Sequence, residues 1–140
     1  MAWVENRKTV CVDFDGVLNE YRGYKEGYTY PFTDKGIEFL KRLKDTGFKV
    51  VILTSIRLAD VERLLHELGY DDLVDQITNV KVPAIAYIDD RAITFRGNFE
   101  DTFKELMNFK TWWEDENSDE KHGISLEMPE SHKNPRNNQE

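Results

Sequence analysis

Apolar positions along the chain fall into two kinds of run. Residues 9–12, 48–53 and 84–88 are short and almost unbroken, rich in Val and Ile, and lack the alternation of a half-exposed strand. Such runs predict strands covered on both faces, as in a parallel sheet. Elsewhere the apolar residues are spaced. Ile37, Leu40 and Leu43 recur at three-residue steps between an N-cap at Thr33 or Asp34 and a stop at Gly47. Val61, Leu64, Leu65 and Leu68 give a second amphipathic helix over 59–68, closed by Gly69. A short strand is expected near 76–80, a last one near 93–95, and a helix over about 100–109. Strands alternating with helices predict an α/β fold with a mostly parallel sheet.

Residues 18–32, "LNEYRGYKEGYTYPF", hold four tyrosines and two glycines without helical period, which reads as an ordered loop or small hairpin. Beyond Trp113 the chain turns polar. A chain of 140 residues suits one domain, expected over 1–113, followed by a polar, disordered tail over 114–140 with little apolar area to offset its ordering entropy.

Charge sharpens this division. The net formal charge is −8, of which residues 1–113 carry 19 acids against 16 bases and residues 114–140 carry 8 against 3. The body lacks the broad basic footprint of a protein that grips a long nucleic-acid duplex, although a short nucleic-acid end stays open as substrate. The single cysteine, Cys11, lies in an apolar run, so no intrachain disulfide can form, and a buried structural thiol is expected. The N-terminal residues hold no apolar leader segment and no stretch reaches the ~20 apolar residues of a membrane span. A cytoplasmic protein without membrane contact is the expectation; the pattern does not give an oligomeric state.

Chemistry concentrates where the strands end. The run at 9–12 leads into "DFDG", that at 48–53 into "TSIR", and that at 84–88 into "DDR". One acid after a strand is usually a solvated turn, with Gly16 serving a left-handed position. Several strands delivering acids and hydroxyls to one sheet edge instead suggest a ligand site, since ligands of open parallel sheets bind outside the carboxyl ends. Carboxylates from Asp13 and Asp89 suit Mg²⁺, which takes oxygen ligands. Thr54 can donate to a phosphate oxygen, and Lys81 is either a phosphate ligand or a surface lysine.

"DFDGV", "VVILTS", Lys81 before "VPAIAYIDD", and their order along the chain resemble the four motifs of the haloacid dehalogenase-like superfamily over about residues 8–110. The resemblance implies a three-layer Rossmann-like fold. It implies Asp13 as nucleophile and Asp15 as general acid and base. Thr54 and Lys81 would bind the phosphoryl group, and Asp13, the Asp15 backbone carbonyl, Asp89 and its neighbour Asp90 would hold Mg²⁺. Residue 15 separates the chemistries of the superfamily: a halide leaves without a proton, whereas an alkoxide benefits by about 10²–10⁴-fold from general acid catalysis. Asp15 therefore points to a phosphatase acting on a phosphate monoester through an aspartyl-phosphate.

Members of the superfamily often carry a cap domain after the first motif or between the second and third. The short segments here imply a capless member with an open site. Its expected partner is a phosphorylated small molecule, among them a nucleotide, or the phosphorylated end of a nucleic acid. A non-catalytic phosphate-binding or scaffold protein on the same fold is the alternative. Tyr21, Tyr24, Tyr28 and Tyr30 can stack on a ring or pack their own loop. Arg57 and Arg91 can bind a second anionic group or pair with carboxylates such as Asp90, and Trp112 and Trp113 are expected to clasp the sheet edge.

Overall fold

The computed structural model describes residues 8–114. Among these, two compact units emerge, one of residues 8–92 together with Thr111–Trp113, the other of residues 93–110 and Glu114. In the first, the chain runs through β1 (Thr9–Asp13), α1 (Asp34–Thr46), β2 (Lys49–Leu53), α2 (Leu58–Glu67), a 3₁₀ turn (Asp71–Leu73), β3 (Gln76–Thr78) and β4 (Ala86–Ile88).

The four strands form one parallel sheet in the order β3-β2-β1-β4. Val12 of β1 stands opposite Ile52 of β2 on one side and Ile88 of β4 on the other. β1 is thus central, and the chain builds outward through β2 and β3 before crossing back to place β4 on the opposite side. That reversal opens a crevice at the carboxyl end of β1, where its two neighbours diverge.

Val10, Val12, Val50 and Ile52 face a core completed by Ile37 and Leu40 of α1 and Val61 and Leu65 of α2. Cys11 and Val51, pointing to the other face, are buried as well, as the unbroken apolar runs require. Thr33, not Asp34, caps α1: its hydroxyl accepts from the Gly36 N–H at 2.9 Å. Residues 14–33 form an ordered loop with one antiparallel bridge, Asn19 to Phe32, rather than a full hairpin. Between β2 and β3 the chain holds only α2 and the 3₁₀ turn.

The second unit contains α3 (Phe99–Met107), capped by Asn98, whose side chain accepts from the Asp101 N–H at 3.0 Å. The strand expected near 93–95 is not formed. Ile93, Thr94 and Phe95 lead straight into Arg96, Gly97 and the Asn98 cap, and Phe95 packs its ring on Phe99 at 4.8 Å. The tail expected over 114–140 lies, past Glu114, outside the described residues. No helix among the described residues is long and apolar enough to cross a membrane.

Candidate active site

The crevice at the carboxyl ends of the strands is an open cleft of about 440 Å³ lined by Asp13, Asp15, Thr54, Lys81, Asp89 and Asp90, with Tyr21, Ser55, Asn79 and Arg91 at its walls. Every residue that the sequence singled out for metal or phosphate chemistry therefore meets in one place, delivered by four different strand ends. Local packing explains why the two acids of "DFDG" both face the cleft. Between them Phe14 is fully buried against Phe32, ring centroids 5.0 Å apart, and its N–H extends the sheet to Leu53 O. Anchoring Phe14 below leaves Asp13 and Asp15 above.

Gly16 then turns the chain with φ 87°, a left-handed conformation. Space is a second constraint at this position. A methyl group here would overlap the Asp90 carboxylate and meet the Trp113 indole nitrogen at 2.9 Å.

Asn19 organises the same loop and went unassigned in the sequence. It is buried; its Oδ1 accepts from the Gly16 N–H at 3.0 Å and from the Tyr21 N–H at 3.3 Å. Its amide donates to Asp15 Oδ1 at 2.7 Å and to Tyr30 O at 3.2 Å. One side chain thereby fixes the turn after the first acid pair and the orientation of Asp15. The signal available was a polar residue closing the otherwise apolar "GVLN".

Asp13, Asp89 and Asp90 each bring a carboxylate oxygen within 4.8 Å of the others. Such crowding is costly without a cation. Burial, then the Asp89 charge and a hydrogen bond with Asp90, push Asp13 up from an ordinary 3.8 to about 8. An all-oxygen donor set of this kind fits a hard divalent cation such as Mg²⁺. Asp89 is oriented by the Arg91 N–H, which donates to its Oδ1 at 2.7 Å. Burial also raises Asp15, opposed by the Asn19 amide and reinforced by the Asp90 charge.

Just past β2 the buried Thr54 continues the ladder through its N–H to Thr78 O, and its hydroxyl accepts from the Ile56 N–H at 3.1 Å. The hydroxyl proton remains available to a ligand oxygen. Lys81 is not a detached surface lysine: its ammonium lies 4.5 Å from the Tyr87 ring centroid, and the residue lines the cleft. The two arginines diverge. Arg57 pairs with Asp60 at 3.3 Å, whereas Arg91 lies over the Trp113 ring at 5.3 Å instead of pairing with Asp90.

Of the two tryptophans expected to clasp the sheet edge, Trp113 is buried and Trp112 is 70% exposed. Their indole N–H groups donate to the site loops, Trp112 to Gly16 O at 2.6 Å and Trp113 to Asp90 Oδ2 at 2.5 Å. Hydropathy alone treats tryptophan as a hydrophobic cover and misses its donor.

Comparison with family models and with curated proteins gives no match. Solved structures do resemble the chain. A conserved protein from Bacteroides thetaiotaomicron is 20% identical with a TM-score of 0.49, over 76% of this chain and 94% of that one. The cobalt-bound deoxy-D-mannose-octulosonate 8-phosphate phosphatase of Haemophilus influenzae is 22% identical with a TM-score of 0.40, over 55% of this chain and 45% of that one. The 3-deoxy-D-manno-octulosonate 8-phosphate phosphatase of Moraxella catarrhalis, in complex with magnesium, phosphate and KDO, is 28% identical with a TM-score of 0.39, over 54% and 43%. The match thus spans less than half the length of either phosphatase.

Proposed function

We propose that this chain is a Mg²⁺-dependent phosphatase of the haloacid dehalogenase-like type, hydrolysing a phosphate monoester through an aspartyl-phosphate on Asp13. The observation that carries the reading is that Asp13 and Asp15, set on either side of the buried Phe14, share one cleft with Thr54, Lys81, Asp89 and Asp90. Mg²⁺ held by Asp13, Asp89 and Asp90, with the Asp15 backbone carbonyl, would neutralise charge so that an anionic nucleophile can meet an anionic ester.

The Asp13 carboxylate attacks phosphorus, and the bond from phosphorus to the ester oxygen breaks. That oxygen takes the proton of Asp15, whose burial favours the protonated form needed for the step. Asp15, now a carboxylate, accepts a proton from the water that hydrolyses the acyl phosphate, releasing inorganic phosphate and restoring both acids. Thr54 donates to a phosphoryl oxygen while the Lys81 ammonium balances its charge. Because Thr54 is already held by its N–H to Thr78 O and by the Ile56 N–H on its hydroxyl, this donor needs no reorganisation as charge develops.

The short connections on either side of the cleft support a capless, open site, able to admit a nucleotide, another phosphorylated small molecule or a phosphorylated nucleic-acid end. Turnover of p-nitrophenyl phosphate with Mg²⁺ and after EDTA tests the reading. Activity should require the metal and vanish in Asp13→Asn with the fold unchanged. Wild-type rates in that variant would exclude Asp13 as nucleophile. Phosphate binding without turnover of any monoester would favour the non-catalytic alternative.

A further inference from the structure

A second cavity of about 280 Å³ adjoins the cleft, and Asp15, Tyr21 and Ser55 line both. Asp15 therefore stands on the border between them. If the phosphoryl group sits beside Asp13 and the departing oxygen must reach Asp15, the rest of the leaving group extends into this second cavity.

Its walls are aromatic and already organised. Three of its rings, Tyr28, Tyr30 and Tyr21, form a chain of edge-to-face contacts that continues to Trp113 outside the cavity lining, with centroid separations of 4.8, 5.4 and 5.0 Å. Tyr30 donates its hydroxyl to Gly23 O at 2.9 Å, and the Thr29 hydroxyl ties the loop to Asp60 of α2 at 3.4 Å. The inner rings, Tyr21 and Tyr30, thus pack the loop. The outer ones are less covered: Tyr24 is 80% exposed, and Tyr28, although it meets Tyr30 and has the Lys25 ammonium 5.2 Å from its ring centroid, is 48% exposed, both lining the cavity. Leaving two large rings in water on a tied loop makes sense if a ligand covers them.

Charge narrows the ligand further. The acids Asp15 and Asp60 face the cations Lys25 and Arg57, and Arg57 is already paired with Asp60. A balanced cavity of this kind does not select a second phosphate; its rings are what discriminate. We propose that it is a leaving-group subsite for phosphate monoesters whose alcohol part carries a planar aromatic or heteroaromatic ring. This rests on the phosphatase reading for the placement of the phosphoryl group.

The test uses two stable phosphonates of equal reach, 3-phenylpropylphosphonate and 3-cyclohexylpropylphosphonate, titrated calorimetrically with Mg²⁺ into the full chain. Cyclohexyl is the more hydrophobic group, so generic burial would favour it. The subsite predicts roughly tenfold tighter binding of the phenyl compound, at the lower end of what a ring stacking on an aromatic side chain contributes. The preference should shrink in Tyr24→Ala, a surface change that leaves the fold intact, and be lost in the Tyr24→Ala/Tyr28→Ala double variant. Equal binding of the two compounds, binding of neither, or a preference that survives the double variant would overturn the subsite. Hydrolysis of the matching phosphate esters separates the two claims. Equal turnover of both with no phosphonate preference leaves the phosphatase and removes the subsite; phenyl preference without turnover of either ester leaves the subsite and removes the phosphatase.

Discussion

Trp113 and Asp13 both contact the Asp90 carboxylate. The indole N–H donates to Asp90 Oδ2 at 2.5 Å, and Asp90 in turn hydrogen-bonds Asp13. Trp113→Phe keeps a ring beside Tyr21 but removes the donor, so Asp90 loses its fixed orientation. Partners of metal-binding side chains typically change metal affinity by about 10–100-fold when removed, and a loss of roughly tenfold in Mg²⁺ affinity is expected by calorimetry. Unchanged affinity would mean that Asp90 needs no donor to stay in the cluster. The sequence announced the acids of this site but not what aims them. Asp13, Asp15, Thr54, Lys81, Asp89 and Asp90 stood at strand ends in a recognisable order, whereas Asn19 acts within its own turn through hydrogen bonds that no periodicity signals, and the two tryptophans act on residues that only folding brings near. For Trp112 and Gly16 the separation along the chain is 96 residues.

At the level of elements, strands and helices could be read because each carries its own period and its own punctuation. The unbroken Val and Ile of β1 and β2 report burial on both faces, and Ile37, Leu40 and Leu43 report the face α1 turns to the core. The strand expected near 93–95 failed because two apolar residues and a threonine cannot outweigh a helix cap that follows at once. Gly36 was invisible for a different reason: it needs no special backbone angle, only room. A Cβ at this position would stand 2.5 Å from Leu18 O, backbone of the loop that carries Asp15 and Asn19. Gly36→Ala should therefore destabilise the protein, although Ala is intrinsically the better helix former by about 1 kcal/mol. Chemical denaturation checks the sign; a stabilised variant would show that α1 can shift away from the loop at no cost. Thr33→Ala, which removes the cap of the same helix, is expected to cost about 1 kcal/mol.

For the whole molecule, the acidic cluster ties stability to pH and to metal. In the unfolded chain Asp13 ionises near its ordinary value, and in the metal-free fold it does so at about 8. Between those values the fold holds a proton that the unfolded chain has released. Stability of the metal-free protein must then fall as pH rises from about 4 through 8, by at most about 1.4 kcal/mol per pH unit for each such proton. Asp15, raised in the same direction, adds to the slope. In the proposed metal site Mg²⁺ would take the place of the proton, so the gain in Tm on replacing EDTA with Mg²⁺ should widen from pH 5.5 to pH 8 and shrink in Asp13→Asn. A gain independent of pH would remove Asp13 from the metal site. The central claim, covalent transfer to Asp13, is tested most directly in Asp15→Asn, where the first step can proceed with a good leaving group but the second lacks its base. Rapid quenching of this variant with p-nitrophenyl phosphate carrying a labelled phosphoryl group should show a burst of nitrophenol and label bound to the protein at Asp13. Nitrophenol released with no label on the protein at any time would contradict it.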